Sequence, residues 1–228
     1  MSAKLVSGDH NHLALFDCDG TMVDSQGNIC HAMEMAFEVH AVEAPPRTII
    51  RRVVGLSLVQ AMAQLLPDAD DDFHVLLAES YKTSFQKIRA DGAVREPLYE
   101  GLPDLLAQLD SAGWVLGVAT GKSDRGLIHC LDSHGLRERF VTLQTADRHP
   151  SKPHPAMIEQ AMTDAGSVPT TTVMIGDTSF DMEMGRNAGT HNIGVDWGYH
   201  PPEELKATGA ACIVSTMDDL YKQLEATR

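Results

Sequence analysis

Beyond Pro97 the chain alternates, to its C-terminus, between short apolar runs and longer stretches of helical periodicity. An apolar run of that length bounded by turn residues reads as a buried strand. The pattern predicts helices over Leu102–Ala112, Asp124–His134, Pro155–Ala165, Phe180–Asn187 and Met217–Ala226. It predicts strands over Val115–Ala119, Phe140–Leu143, Thr172–Ile175, Asn192–Val195 and Cys212–Val214. Strands joined through helices return to one sheet in parallel, with the helices covering its faces. The early run Leu13-Ala14-Leu15-Phe16, closed by Asp17-Cys18-Asp19-Gly20, belongs to the same sheet. The expected fold class is therefore α/β, a Rossmann-like doubly wound parallel sheet.

From about Ile29 to Ala90 strand signals are weak and the periodicity is helical. Ala32, Met35, Ala36 and Val39 mark one face, Val59, Met62, Ala63 and Leu66 another, and Val75, Leu76, Leu77 and Ala78 a third segment. Pro45-Pro46 and Pro67 divide the region into separate helices. The acidic run Asp68–Asp72 lacks the glycine and terminal glutamate of a calcium loop and reads as a helix N-terminus, where acids are favoured. This stretch is an all-helical insertion placed just after the first strand. The expected division is residues 1–23 and 96–228 for the Rossmann-like core and 24–95 for a helical cap domain.

The 228 residues are 43% hydrophobic, enough for a real core, and carry a net charge of −14. Such a charge repels phosphate backbones at long range and argues against a nucleic-acid partner, although a local site can still be positive. The four cysteines form no C-x-x-C pair and read as buried thiols in a reducing cytosol. Met1–Asn11 lacks the apolar core of a signal peptide, and no apolar run approaches the roughly 18 residues a membrane span needs. The expectation is a cytoplasmic monomer or homodimer without membrane contact.

In an open parallel sheet, ligands bind beyond the carboxyl ends of the strands. The first strand ends in Asp17 and Asp19. Val115–Ala119 runs into Thr120-Gly121-Lys122-Ser123, and the stretch after Phe140–Leu143 leads to Lys152. Thr172–Ile175 ends in Gly176-Asp177, with Asp181 one helical turn later. Carboxylates, a hydroxyl and a lysine thus converge on one edge, a set suited to phosphoryl transfer. A hard cation such as Mg²⁺ takes oxygen ligands, which the carboxylates of Asp17 and Asp177 and the backbone carbonyl of Asp19 can supply. A carboxylate that attacks an anionic phosphoryl group needs positive charge beside it. Backbone N–H groups at Asp19-Gly20 and Thr120-Gly121 suit the phosphoryl oxygens.

Asp17-Cys18-Asp19-Gly20-Thr21-Met22-Val23-Asp24-Ser25 resembles the first signature of the haloacid dehalogenase superfamily. Thr120-Gly121-Lys122-Ser123 resembles the second motif, Lys152-Pro153 the third, and Gly176-Asp177-Thr178-Ser179-Phe180-Asp181 the fourth. The resemblance covers essentially the whole chain, with the helical insertion in the place of the family's cap. Each motif is short by itself; four in order, each after a predicted strand, are specific. The resemblance implies Mg²⁺ as cofactor and a small phosphorylated metabolite as substrate. It implies that Asp17 attacks phosphorus and becomes an aspartyl-phosphate. Asp19 would protonate the leaving oxygen and later take a proton from the hydrolytic water. Thr120 would hydrogen-bond the phosphoryl group with Gly20 and Gly121 beside it, and Lys152 would neutralise charge. Asp17, Asp19 and Asp177 would hold the metal, and Asp181 would ligate it directly or through water. Met22 departs from the family's common leucine, and Cys18 occupies a variable position.

An acid at Asp19 argues against dehalogenation, because a departing halide needs no proton. The cap position places the resemblance in the phosphoglycolate phosphatase-like branch. Phosphonoacetaldehyde hydrolases of that branch use a cap lysine, and the first predicted cap helix, Ile29–His40, has none. Its sugar mutases carry an arginine just past a Gly-x-Ser turn, whereas Gly55-Leu56-Ser57 is followed by Leu58. The expected activity is hydrolysis of a phosphoglycolate-like compound or short sugar phosphate. A phosphomutase or pyrophosphatase of the same superfamily is the alternative, with a phospho-accepting regulatory module as the alternative from another class. Arg51 and Arg52, close to the Gly55 turn, are candidate contacts for a substrate carboxylate, set against a plain reading as solvated helix arginines. His10, His12, His149, His154 and His200 fall in polar loop segments and are assigned no metal role.

Overall fold

The computed structural model describes residues 10–228. The reading of Met1–Asn11 and the start of the predicted 1–23 segment lie, up to residue 9, outside the described residues. The strands are β1 (Leu13–Phe16), β2 (Val115–Thr120), β3 (Thr142–Thr145), β4 (Thr172–Gly176), β5 (His191–Val195) and β6 (Cys212–Val214). The helices before β2 are α1 (Gln26–Val39), α2 (Arg47–Arg51), α3 (Leu58–Leu65), α4 (Asp71–Ala90) and α5 (Leu102–Ser111). Those after it are α6 (Asp124–Ser133), α7 (Ala156–Ala165), α8 (Ser179–Ala188), α9 (Pro202–Thr208) and α10 (Met217–Ala226).

All six strands lie in one parallel sheet ordered β3-β2-β1-β4-β5-β6. Strand order reverses between β1 and β4, so the crossover helices leave in opposite directions there and open a crevice at the carboxyl ends of those strands. Successive side chains of β1 alternate between faces. Ala14 and Phe16 enter a core with α5, α6 and α10, while Leu13 and Leu15 enter one with α7 and α8. All four are fully buried, as a central strand covered on both faces requires.

The helices α1 to α4 pack around a separate core that includes Ile29, Met33, Phe37, Ile50, Met62 and Leu77. The acidic run behaves as a helix start: Asp70 caps α4, its side chain accepting from the Phe73 N–H at 2.8 Å. Two chain segments join this helical unit to the sheet and pair with each other. Asp24 N donates to the Pro97 carbonyl at 2.9 Å, and Tyr99 N to that of Met22 at 3.0 Å.

Several local expectations need correction. Val39, Val59, Val75 and Leu76, placed on buried helical faces by periodicity, are exposed. On α1 the buried set includes Ile29, Met33 and Phe37, spaced one helical turn apart, and Val39 lies beyond it. Periodicity defines apolar stripes but not which stripe meets a neighbour. The strand expected at Phe140–Leu143 runs instead over Thr142–Thr145. Its buried polar side chains are satisfied laterally: Thr142 Oγ1 and Gln144 Nε2 both donate to Asp164 at 2.8 Å. Helix α9 is capped by Pro201 and begins at Pro202, and it was not expected from the pattern. Among the described residues no helix is long and apolar enough to cross a membrane.

Candidate active site

β1 ends in a tight turn in which Gly20 N donates to the Val23 carbonyl and Met22 N to that of Cys18, both at 2.9 Å. Gly20 has φ +84°, and a Cβ there would collide with the Asp177 carboxylate and the Tyr199 ring. The turn leaves Asp17 fully buried at the end of β1. β4 ends at Gly176 and delivers Asp177, also fully buried. Thr178 then caps α8 in a reciprocal box: Asp181 N donates to Thr178 Oγ1 at 3.4 Å, and Thr178 N to Asp181 Oδ2 at 3.0 Å. That box holds Asp181 against β4.

Asp17, Asp177 and Asp181 each place a carboxylate oxygen within 4.8 Å of the other two. Lys152, 2% exposed, enters from the loop after β3. Its Nζ lies 2.6 Å from Asp181 Oδ1 and 2.9 Å from Asp17 Oδ1. One cation thus faces three buried carboxylates, and proton affinities rise. Burial pushes Asp17 up to about 7, against the pull of Lys152 and with a further push from Asp181. Burial likewise holds Asp177 well above the usual carboxylate range, reinforced by Asp17 and Asp181 and opposed by hydrogen bonds from Thr21 and Tyr199. Burial disfavours the Lys152 charge, yet Asp17 and Asp181 outweigh it and keep the ammonium protonated.

The oxygens differ in how fully they are occupied. Asp177 accepts from Thr21 Oγ1 at 2.8 Å and from Tyr199 N at 2.9 Å. Asp181 is held by Lys152 on one oxygen and Thr178 on the other. Neither Asp17 oxygen receives a directed hydrogen bond, its contact with Lys152 being an ion pair without that geometry. An all-oxygen set with excess negative charge and orphaned lone pairs fits a hard divalent cation.

Asp19 turns away from this set. It accepts from Ser25 Oγ and lies 2.8 Å from Lys122 Nζ. Its carboxylate therefore lies outside the three-carboxylate cluster, and the metal contact expected of Asp19 is its backbone carbonyl. Lys122 also pairs with Glu96 at 2.8 Å. Burial works against the Lys122 charge, but Asp19 and Glu96 hold its pKa well above the ordinary lysine value. Thr120 is buried at the end of β2, its Oγ1 accepting from Lys122 N at 3.2 Å.

The helical unit sits directly on these strand ends. A Cβ on Gly121 would lie 2.6 Å from the Gly55 carbonyl oxygen and 2.7 Å from that of Leu56. Ser57 N donates to Ser151 Oγ at 2.9 Å. His200 Nδ1 accepts from Ser179 N at 3.1 Å, so Nε2 carries the proton and donates to the Arg52 carbonyl at 3.1 Å. Between the two units lies a cavity of about 290 Å³ that reaches Asp19, Gly121 and Lys122. Arg51 and Arg52, expected at the substrate, do not line it. Arg51 donates to Gln26 Oε1 at 2.9 Å, and Arg52 pairs with Glu204 of α9 at 2.5 Å. Their guanidinium groups are spent on fastening neighbouring elements.

At the level of sequence, Thr21, Ser25, Lys122 and Thr178 stand within the motifs without an individual role, and Glu96, Tyr199 and His200 have none either. Thr178 carried a readable signal, standing three residues before Asp181 as a capping box does. Glu96, Tyr199 and His200 carried none, since each acts through contacts distant in sequence. His200 in particular is buried and joins the two units, unlike the polar loop residue it resembles locally.

The family model for haloacid dehalogenase-like hydrolases matches residues 14–195. The chain is 36% identical over 214 residues to the "Probable phosphatase IndB" of Dickeya dadantii, covering 91% of each. It is 31% identical over 219 residues to the N-acetylmuramic acid 6-phosphate phosphatase of Pseudomonas putida, covering 93% of this chain and 95% of that one. The crystal structure of "a predicted phosphatase from Clostridium acetobutylicum" superposes with a TM-score of 0.86 at 25% identity, over 96% of this chain and all of the other.

Proposed function

The chain belongs to the haloacid dehalogenase-like hydrolases, and from that membership we propose a Mg²⁺-dependent phosphatase that works through an aspartyl-phosphate on Asp17. The two relatives described above are named as phosphatases, one of them of N-acetylmuramic acid 6-phosphate, and this chain is a phosphatase of phosphorylated small molecules. The observation that carries the mechanism is Asp17 itself. Its two buried oxygens lack directed hydrogen bonds and stand beside Asp177, Asp181 and Lys152.

Mg²⁺ held by Asp17, Asp177 and the Asp19 carbonyl, with Asp181 behind them, would offset the charge that otherwise repels phosphate from a carboxylate. Lys152 favours the ionised, nucleophilic form of Asp17 and orients it. An Asp17 oxygen attacks phosphorus while the ester P–O bond breaks, and Asp19 supplies the proton that the departing alkoxide needs. Ser25 and Lys122 hold the Asp19 carboxylate toward the cavity, on the leaving-group side. Asp19 then takes a proton from the water that cleaves the aspartyl-phosphate. The Thr120 hydroxyl and the backbone N–H groups around Gly20 and Gly121 receive the phosphoryl oxygens. We assign residues 24–95 as a lid on a core of 1–23 and 96–228. Its seat against Gly121 and Ser151 excludes bulk water from the intermediate. Three of the four cysteines are buried free thiols and Cys212 is half-buried, which suits a reducing cytosol.

The test is turnover of a generic phosphate ester. Activity should vanish in excess chelator and return with Mg²⁺, and undiminished turnover in chelator overturns the metal reading.

A further inference from the structure

We propose, resting on the phosphatase reading above, that the alcohol released carries a ring-sized apolar body with a carboxylate at its far end. The cavity between cap and sheet lies on the Asp19 side of the site, where the leaving group must sit to receive its proton. The larger part of its wall is apolar: Ile29 and Met33 from α1, Val53 and Leu56 from the Gly55 turn, Ala61 from α3 and Phe85 from α4. A cavity of about 150 Å³ lined by such residues already holds a benzene ring, and this one is about 290 Å³. A two-carbon acid would leave most of that apolar wall facing trapped water. An apolar body of ring size displaces the water and covers the wall.

The charges say what else the alcohol carries. Asp19 and the exposed Asp147 are the carboxylates among the lining residues, against four cations. Lys122 is neutralised by Asp19 and Glu96, and Lys82 by Glu79 at 2.7 Å. The arginines in ion pairs among the described residues are Arg47, Arg52, Arg137, Arg139, Arg148 and Arg228. Arg89 and Arg125, both on the cavity wall, are not among them. The Arg89 guanidinium lies 5.4 Å from the Phe85 ring centroid, and its Nε is buried without a hydrogen-bond partner. A buried donor of that kind is costly unless a ligand acceptor completes it, and a guanidinium matches a carboxylate in geometry. Arg89 therefore marks where the far carboxylate sits, with Arg125 adding charge at the rim.

Four phosphate monoesters test both features, because all release alkoxides: ethyl phosphate, phosphoglycolate, benzyl phosphate and 4-carboxybenzyl phosphate. With Mg²⁺ present, kcat/KM for benzyl phosphate should exceed that for ethyl phosphate by roughly 10²-fold, given that a single methylene in an apolar pocket counts for about 10-fold or more. The carboxylate should add roughly another 10-fold in the benzyl pair, the scale of one hydrogen bond to a charged group, and less in the two-carbon pair, which falls short of Arg89. Arg89→Gln should erase the gain in the benzyl pair, and Ala61→Phe should lower the benzyl-to-ethyl ratio by filling the space. Ethyl phosphate or phosphoglycolate turned over as well as the benzyl esters overturns the proposal while leaving the phosphatase reading standing. A carboxylate gain that survives Arg89→Gln overturns the place assigned to the anion. No turnover of any phosphate ester by folded, Mg²⁺-supplied protein overturns the phosphatase reading, and the proposal with it.

Discussion

Replacing Asp17 with asparagine should abolish turnover and yet stabilise the metal-free protein. In that state Asp17 ionises near pH 7, against 3.8 for an unperturbed aspartate, because burial outweighs the help of Lys152. At about 1.4 kcal/mol per pH unit, the ionised carboxylate costs the fold about 4 kcal/mol above neutrality. Its folded-state pKa is raised, so the folded protein binds more protons than the unfolded chain between pH 3.8 and about 7. Stability that is present at low pH is lost as the pH rises through that window. Asparagine keeps the shape and does not titrate. Urea midpoints measured in chelator should therefore favour Asp17→Asn by about 4 kcal/mol at pH 8, and by less than half of that at pH 5. Mg²⁺ should narrow the gap, since the wild type keeps all three carboxylates and gains more from the cation. A variant no more stable than wild type at pH 8 in chelator refutes the argument that burial, rather than Lys152, governs Asp17.

Asp19→Ala should lower turnover by roughly 10²–10⁴-fold, the scale of a positioned acid–base, with little change in thermal midpoint because Lys122 keeps Glu96. Activity within a few-fold of wild type contradicts the role. Gly121→Ala is permitted by its backbone, but its Cβ would sit 2.6 Å from the Gly55 oxygen, where ordinary contact begins at 3.4 Å. The cap turn must retreat by most of an ångström, which should reduce kcat/KM about 10²-fold; wild-type kinetics would show that cap seating there does not matter. His200 has its pKa lowered below 6.5, first by burial and then by the Arg52 charge, with its hydrogen bond to the Arg52 carbonyl, Glu204 and Asp181 opposing. A base depressed in this way contributes stability that is present above pH 6.5 and lost as the pH falls below it. A second proton would sit on Nδ1, facing the Ser179 N–H. Amide exchange at Ser179 should accelerate from pH 7 toward pH 5 beyond its intrinsic pH dependence, and His200→Ala should remove that excess.

The fold class and the edge of the sheet on which chemistry gathers were legible in the sequence. Strand and helix repeats, the proline breaks and the turn residues after each strand are local signals, and a parallel sheet converts them into a common edge. For that reason Asp17, Asp177, Asp181 and Lys152 were expected together, and they do cluster at that edge. Register and partner choice were not legible. Val39 and Leu76 fit an apolar stripe as well as Met33 and Leu77 do, and only the neighbouring helix decides which stripe it buries. Arg51 and Arg52 stood near the right turn, but a guanidinium goes where its nearest acceptors are, here Gln26 and Glu204. Asp19 could be named as an acid, yet its departure from the carboxylate cluster depends on Ser25 and Lys122. Tyr199 and His200 reach across the seam between cap and sheet, to Ser25 and Arg52, while Glu96 pairs with Lys122 inside the core. Their partners are distant in sequence and obey no period, so only the tertiary structure creates these contacts, the cavity and the burial that raises the proton affinity of Asp17.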